Sequence, residues 1–406
     1  MKRIICAVSG GVDSSVAALL LKRQGYEVIG AFMRNWDISD EKGFCQADLD
    51  REDAEYACKK IGIPFFEVNF VKEYWNSVFS SLIHDYKRGF TPNPDILCNK
   101  NIKFDAFFKH VLHRFQAQAI ATGHYARILS SSDSSKKSMK TNHFFRIVIT
   151  MLEKKTERIF YIFLEYKLFK GVDERKDQTF FLSQIPRLAL EKCLFPLGEM
   201  TKDKVKSIAL SAGLNRIVKK KESMGMCFIG PRNFQSFIDE YIEPQKGYFR
   251  NIENNKIIGQ HKGVHCWTIG QRCAVTDNSS AFYVVERNAE TQDIFVAPGR
   301  KHLSLFHQTL VTEIPYWINE PPVELEKGDL FPCDFRFQHR EPLVKCLLWQ
   351  DNKKRLQIFL QKPLRALTPG QYAVFYQGDE CLGSARILFR GPSLYHLDSV
   401  YNKNIT

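Results

Sequence analysis

The sequence predicts an α/β protein: a helix-covered parallel sheet at the N-terminus, a small middle region and an antiparallel β-barrel at the C-terminus. Three observations lead there. Apolar runs of strand length alternate with amphipathic helical runs from Arg3 to Thr122, the rhythm of a parallel sheet. The first strand passes into the first helix through a glycine–serine turn, Ser9-Gly10-Gly11-Val12-Asp13-Ser14-Ser15. Beyond Phe306 the pattern changes to short strands punctuated by turn residues, the spacing of a small barrel.

Taken in order, Arg3-Ile4-Ile5-Cys6-Ala7-Val8 is apolar and β-prone throughout, as a strand buried on both faces requires. Val16 to Gln24 reads as the helix that follows, with Gly25 at its left-handed cap. Glu27 to Met33 is the second strand. Arg51 to Ile61 places Ala54, Ala57, Cys58 and Ile61 on one helical face behind an acidic first turn, and Gly62 and Pro64 stop it. Phe65 to Asn69 is the third strand. Lys100 to Arg114 carries Phe104, Phe107, Phe108, Val111 and Leu112 at i, i+3, i+4, i+7 and i+8, so these side chains belong to a core and not to a base-stacking platform. Ala117 to Thr122 is the fourth strand, ending at Gly123-His124-Tyr125. Ligands of such sheets lie at the carboxyl ends of the strands, where Ser9, Met33 and Gly123 converge.

The Ser/Lys-rich run from Leu129 to about Lys140 reads as a surface loop. The aromatic stretch His143 to Phe169 fits a hairpin and an added helix equally. From Thr201 to Lys221, the cations Lys202, Lys204, Lys206, Arg216, Lys219, Lys220 and Lys221 stand against Asp203 alone. A solvated helix face explains such a run, but a stripe for nucleic-acid phosphates is preferred because it leads into a second chemical motif. Barrel strands are expected at Cys333–Phe337, Leu343–Trp349, Arg355–Leu360, Tyr372–Tyr376 and Cys381–Leu388.

Composition bounds the function. A chain of 406 residues has room for two or three domains, and its net charge of +13 favours a polyanionic partner. No run reaches the roughly 18 apolar residues of a membrane-spanning helix. Eleven cysteines, dispersed without a Cys-x-x-Cys pair, signal neither a zinc ribbon nor a disulfide scaffold and fit a reducing compartment with one or two reactive thiols. No metal ligand set is expected. The glycine–serine turn begins so early that a targeting peptide has little room ahead of it.

Chemistry concentrates in three places. In the glycine–serine turn, Gly10 and Gly11 lack a Cβ, so a phosphate can approach the backbone N–H groups while the helix N-terminus favours its charge. No Gly-x-x-x-x-Gly-Lys-Ser/Thr is present; Ser-Gly-Gly-x-Asp-Ser resembles instead the pyrophosphate loop of the PP-loop ATPases, which split ATP to AMP and pyrophosphate. The second place is Thr91-Pro92-Asn93-Pro94-Asp95-Ile96-Leu97-Cys98-Asn99-Lys100, a proline-braced loop that delivers Asp95 and Cys98 at a helix start, where a thiolate is favoured. The third is Lys219-Lys220-Lys221-Glu222-Ser223-Met224-Gly225-Met226-Cys227-Phe228-Ile229-Gly230, with lysines near a second cysteine. Singly, either cysteine is more often a small buried hydrophobe than a catalyst.

Together these motifs resemble the tRNA-specific 2-thiouridylase family, and within it the animal mitochondrial members. The match runs through Ser9–Ser14, Met33–Trp36, Thr91–Phe104, Ala121–Arg127, Lys176–Leu182, Phe195–Gly198, Glu222–Gly230, Thr268–Arg272, Thr368–Gln371 and Gly378–Gly383. It departs after Gly270-Gln271-Arg272, where Cys273-Ala274-Val275-Thr276-Asp277 replaces the family's glycine-rich loop.

The resemblance implies a catalytic domain over 1–193 with a Rossmann-type sheet of the adenine nucleotide alpha hydrolase-like class. It implies a central tRNA-binding domain over 194–300, whose segment near 216–234 returns to the catalytic domain, and a β-barrel over 301–406. ATP and Mg2+ are implied as cofactors, held at Ala7, Val8, Ser9, Gly10, Gly11, Val12, Asp13, Ser14, Met33 and Gly123. Catalysis falls to Cys227 as persulfide carrier, Cys98 as its thiol partner in a transient disulfide, and Asp95 as acid/base. Asn93, Pro94 and Asp95 would hold the target base. His124, Lys176, Asp177, Gln178, Arg336, Phe337 and Gln371 match tRNA-contacting positions. Partners are then tRNA and a persulfide donor, a cysteine desulfurase or sulfur-relay protein, in the mitochondrion. The phosphate loop alone would also suit an amide or argininosuccinate-type synthetase, a 4-thiouridine-type sulfurtransferase or a non-catalytic tRNA-binding protein. The Cys98/Cys227 pair argues against the synthetase and the non-catalytic protein, whereas a 4-thiouridine-type enzyme shares the chemistry but normally brings different RNA-binding domains.

Overall fold

The computed structural model describes residues 2–37, 45–130, 165–220, 233–277 and 280–403. Its first sheet is parallel, built from β1 (Arg3–Ala7), β2 (Glu27–Arg34), β3 (Phe65–Asn69), β4 (Ala119–Ala121) and, after the hairpin β5 (Ala126–Ser130)–β6 (Tyr166–Lys170), β7 (Cys193–Leu194). The strand order is β3-β2-β1-β4-β7. Central β1 is apolar on both faces because helices cover both: Ile5 and Ala7 pack into one buried cluster, Ile4, Cys6 and Val8 into the other.

Helix α1 runs Val12–Arg23, four residues earlier than its apolar run suggests. Gly11 takes the extended N-cap conformation, and the Ser15 hydroxyl bonds back to its carbonyl at 2.9 Å, so the polar start of the motif is already helix. Helix α2 (Gln46–Ile61) buries Ala54, Ala57, Cys58 and Ile61 as expected. The helix expected at Lys100–Arg114 is two: a wider π-helical stretch, Cys98–Phe107, continued by an α-helix, Phe108–Phe115. Phe104, Phe107, Phe108 and Val111 are buried in the core all the same, each such side chain contributing about 1.5–3 kcal/mol.

The stretch after residue 193 belongs with this first unit. Leu197, Val205, Ala209, Leu214 and Ile217 share a cluster with Ile4, Val16 and Leu21, and the helix Lys202–Ser211 packs on α1. The expected boundary at 193/194 therefore cuts a continuous core, whereas the second sheet begins at Gly247. That sheet joins β8 (Gly247–Asn251), β9 (Ile257–His261), β10 (Arg272–Asp277), β11 (Ser280–Asn288) and β12 (Asp293–Pro298) in the order β10-β11-β12-β8-β9.

The last unit is a closed barrel. It comprises β13 (Phe306–Thr312), β14 (Tyr316–Trp317), β15 (Phe331–Arg336), β16 (Val344–Gln350), β17 (Leu356–Arg365), β18 (Tyr372–Gln377) and β19 (Glu380–Arg390). β13 pairs with both β17 and β19, closing the ring β13-β17-β16-β15-β18-β19 around Phe335, Leu348, Ile358, Phe375 and Ile387. β6 adds to β19 through Glu380↔Phe169 and Cys381↔Leu168, so the first unit and the barrel share a sheet. Of the ambiguous aromatic stretch, Tyr166–Lys170 is thus the hairpin strand; 131–164 lie outside the described residues. Among the described residues no helix is long and apolar enough to cross a membrane.

Candidate functional site

The phosphate cradle is built where β1 meets α1. Gly10 has φ +72°, and a Cβ there would lie 2.3 Å from the Asp50 carbonyl oxygen in α2. At Gly11 the nearest atom to a Cβ is Ser9 Oγ at 3.5 Å, so its outer side is open. The Ser9 N–H donates to Ser14 Oγ (3.1 Å), and the Ser14 hydroxyl donates to Gly11 O (3.2 Å), which pre-shapes the loop. The side chains of Ala7, Val8 and Val12 are buried, and the Val8 N–H donates to the Ala31 carbonyl (2.9 Å). Met33 is the penultimate residue of β2, and Gly123, beyond β4, lies so close that a Cβ would stand 2.6 Å from Ser14 N. The two glycines therefore make different demands. Gly10→Ala should lower the melting temperature by several degrees, since both φ and the Asp50 contact forbid it, at about 1–3 kcal/mol. Gly11→Val should melt close to wild type yet weaken adenine-nucleotide binding at least about tenfold, or ~1.4 kcal/mol. Scanning fluorimetry and nucleotide titration check the ranking, and the reverse order would contradict this cradle.

The motif's acidic residue is not open either. Asp13 accepts from Lys202 Nζ on both oxygens, at 2.8 and 2.7 Å, and from the Tyr125 hydroxyl at 2.8 Å. Lys202 is the first residue of its helix, its N–H bonded to Asp173 at 2.9 Å, and only 7 % of it is exposed. Lys220 bonds Asp50 and Asp53 at 2.7 Å each, and Arg216 bonds Asp53 at 2.8 Å. Burial pulls Lys220 down, but those two carboxylates outweigh it and leave its pKa raised. The stripe expected to track nucleic-acid phosphates is thus corrected at three positions: these cations neutralise carboxylates beneath and beside the cradle. Lys204 and Lys219 are exposed, and Lys221 lies outside the described residues.

The second element is the turn at Thr91–Cys98. Asn93 caps the short helix Pro94–Leu97 by accepting from the Ile96 N–H (3.3 Å), and Pro94 at its first position needs no N–H partner. Cys98 follows one turn in, and the helix continues beyond it. The helix-end field expected at this thiol has therefore largely decayed. Cys98 is 6 % exposed, packed with Ile96, Ile102 and the surrounding apolar cluster.

The Asp95 side chain reaches solvent, yet crowding around it pushes its carboxyl pKa up, while Lys103 and His339 draw it back down. Lys103 also depresses His124, which burial already holds well below the ordinary imidazole value. His124 is therefore neutral at pH 7, with Nδ1 2.7 Å from Thr122 Oγ1. Lys103 escaped the sequence reading although it lies inside Thr91–Phe104; its side chain became relevant only when the helix turned it towards both Asp95 and His124.

The barrel meets this turn directly. Gln371 donates to the Thr91 and Pro92 carbonyls (3.0 and 3.2 Å) and accepts from Asn93 Nδ2 (3.2 Å). Gly370, with φ +93°, lets the chain come in: a Cβ would lie 2.8 Å from Thr91 N and O. Asp177 and Arg336 form a buried ion pair at 2.6 Å, completed by Thr179 and Tyr376, and Phe337 is buried beside them. Gln178 holds Tyr125, accepting from its N–H (3.1 Å) and donating to its carbonyl (3.0 Å), and Lys176 is half-buried. Cys227 lies outside the described residues.

Among the described residues one donor cluster elsewhere invites a metal: Asp239, His265 and Cys266. His265 Nε2 is 2.9 Å from Asp239 Oδ1, a hydrogen-bond distance shorter than the ~3.3 Å separating two ligands around tetrahedral zinc. Burial and that carboxylate push the Cys266 thiol up to about 11, so it is protonated.

Comparison with known proteins places the chain. The family model described as the tRNA methyl transferase HUP domain matches residues 2–231, the PRC-barrel domain of the same family 235–298, and the aminomethyltransferase β-barrel domain 307–387. Mitochondrial tRNA-specific 2-thiouridylase 1 from Gallus gallus is 48 % identical, with 99 % of this chain and 95 % of that one covered. The Homo sapiens protein of the same name is 47 % identical over 98 % of this chain and 93 % of that one. The tRNA-specific 2-thiouridylase MnmA of Staphylococcus saprophyticus is 39 % identical over 95 % of each. With that identity along nearly its whole length, and with its cradle, braced turn and closed barrel, the chain belongs to the tRNA-specific 2-thiouridylase family.

Proposed function

We propose that this protein is a tRNA-uridine 2-sulfurtransferase that replaces O2 of the wobble uridine by sulfur in a subset of mitochondrial tRNAs, using ATP. One observation carries the reading: the cradle and the thiol turn are linked through Gly123-His124 and Lys103. Gly123 abuts Ser14 of the cradle, His124 follows it, and Lys103 acts electrostatically on both His124 and Asp95, three residues before Cys98.

The cradle fits a triphosphate, with open backbone at Gly11, small hydroxyls and a helix N-terminus. Asp13 would hold Mg2+, sharing its carboxylate with Lys202. ATP supplies the activation: uridine O2 takes the adenylyl group, and pyrophosphate leaves. Cys227 carries a persulfide received from a cysteine desulfurase or sulfur-relay protein, and its terminal sulfur bonds to C2. Cys98 attacks the sulfur of Cys227, breaking the S–S bond; AMP departs with the former O2, and a Cys98–Cys227 disulfide remains. An external thiol returns two electrons to reset it.

Asn93, Pro94 and Asp95 border the flipped base. Burial raises the pKa of Asp95, which makes its carboxylate a better proton acceptor than an exposed one. Lys176, Gln178 and the Gln371 amide line the approach to this turn. Neutral His124, Asp177, Arg336 and Phe337, being buried, shape that approach from beneath.

The test is reconstitution. Unmodified substrate tRNA, MgATP and a persulfide donor should give 2-thiouridine at the wobble position, read by nucleoside mass spectrometry, with one AMP per sulfur. Pyrophosphate release without thiolated nucleoside, with competent donor and reductant, would reduce the protein to an adenylating enzyme of another class.

A further inference from the structure

The turn that bears Cys98 is held by a side chain from the middle domain. Arg287, near the end of β11, donates through Nη2 to the Gly89 carbonyl (2.6 Å) and to Thr91 Oγ1 (2.8 Å). Its Nη1 donates to the Trp267 carbonyl of its own domain. One planar guanidinium thus bridges the second sheet and the entry of the catalytic turn, with geometry that a lysine cannot reproduce. Dense surroundings lower its pKa to about 10, which still leaves it charged at pH 7. Its neighbours from other elements are Tyr86, which favours the charge, and Arg390, which opposes it. From the opposite side Gln371 and the Pro369 carbonyl hold Thr91 through its backbone. Thr91 is therefore gripped by both other domains, while its own side chain is 9 % exposed and meets Arg287.

We propose that Arg287 is a positioning residue for sulfur transfer. Docking of the middle domain through this guanidinium sets the place of the Asn93–Cys98 turn, so chemistry at the thiol depends on that domain while nucleotide binding in the cradle does not. The inference rests on the sulfurtransferase reading for its kinetic arm only. A displacement of about 1 Å at a reacting group costs on the order of a hundredfold in rate, which sets the expected scale.

The variants are Arg287→Met, which keeps the stem and removes the donors, Arg287→Lys, and Thr91→Val, which removes one acceptor. Nucleotide stoichiometry by titration counts the folded sites in each. Per folded site, Arg287→Met should lower the single-turnover thiolation rate from preloaded persulfide by about thirtyfold to a hundredfold. ATP and tRNA affinities should stay within about threefold, and Arg287→Lys should recover part of the loss. Combining Arg287→Met with Thr91→Val should cost little more than Arg287→Met alone, because both cut the same bond. Independently of any RNA chemistry, Cys98 should be alkylated by iodoacetamide severalfold faster in Arg287→Met, in a background where the other reactive thiol is Cys227→Ser. Unchanged alkylation, or a thiolation rate per folded site equal to wild type, overturns the proposal. So does a parallel loss of nucleotide affinity. Faster alkylation in a protein that makes no 2-thiouridine even as wild type would keep the positioning role and dispose of the function assigned to the turn.

Discussion

Cys98→Ser should lose single-turnover 2-thiolation from preloaded persulfide by at least about a thousandfold, the scale on which removing one member of a catalytic unit acts. The loss follows from the electron balance. Sulfur leaves Cys227 only when the S–S bond is broken by a second thiol, and a serine hydroxyl neither attacks sulfur at neutral pH nor forms the product disulfide. Because Cys98 is 6 % exposed among apolar neighbours, a hydroxyl there brings its own cost of about 1–2 kcal/mol, which could lower activity through folding alone. Cys98→Ala removes that ambiguity: it leaves no polar atom in the pocket and should be equally inactive.

The intermediate tells the two cysteines apart. Cys98→Ser and Cys98→Ala should accept labelled sulfane sulfur and keep it on Cys227, whereas Cys227→Ser should accept none. All three should release pyrophosphate with tRNA, since the cradle is untouched. The assay is a single turnover from preloaded persulfide without added thiol, because further cycles need an external reductant and a small thiol can take the place of Cys98. A full single turnover of Cys98→Ala under those conditions would make Cys98 a packing residue in a braced loop.

Much of this site was legible in the chain. The cradle is local: strand, two glycines, hydroxyls and helix start occupy consecutive residues, so nothing distant has to be known. The turn at Asn93–Cys98 is likewise local, with a capping Asn and a proline at the first helical position. Helix α2 and the barrel strands follow from periodicity and turn residues in the same way. Helix starts were less legible: Val12–Ser15 is helical because side-chain hydroxyls close on Gly11 O, which the apolar period does not record.

Charge was the least legible feature. A run of lysines has the same sequence whether it faces a polyanion or a set of carboxylates folded beneath it. Asp13 and Lys202 are far apart in the chain and meet because the Lys202–Ser211 helix packs on α1; Asp53 and Arg216, likewise distant in sequence, pair between α2 and the helix Asn215–Lys219. Arg287 and Lys103 were invisible for the same reason. Each acts on the catalytic turn through one distant contact or field and belongs to no periodic pattern.

Lys202→Met should therefore act on the adenylation step and not on the salt dependence of RNA binding. The ammonium is almost buried and sits on both oxygens of Asp13, so methionine leaves a carboxylate beside the cradle with Tyr125 but without its cation. Asp13 is one-third exposed, so water moderates the penalty to about 1–3 kcal/mol of stability. The effect on chemistry is larger. In the proposed site Mg2+ would then be the only cation left on Asp13, and the expected fall in tRNA-dependent pyrophosphate release is about a hundredfold to a thousandfold, the magnitude seen when one preorganised charge is removed. A cycle with Asp13→Asn separates the two consequences. The double variant has no unpaired charge and should regain most of the stability lost by Lys202→Met, yet it should remain inactive because neither cation nor carboxylate is left to place the phosphates. Melting temperatures and pyrophosphate release are measured for all four proteins. Recovery of activity along with stability in the double variant would show that Lys202 only balances Asp13; activity within threefold of wild type in Lys202→Met would remove it from the phosphate site.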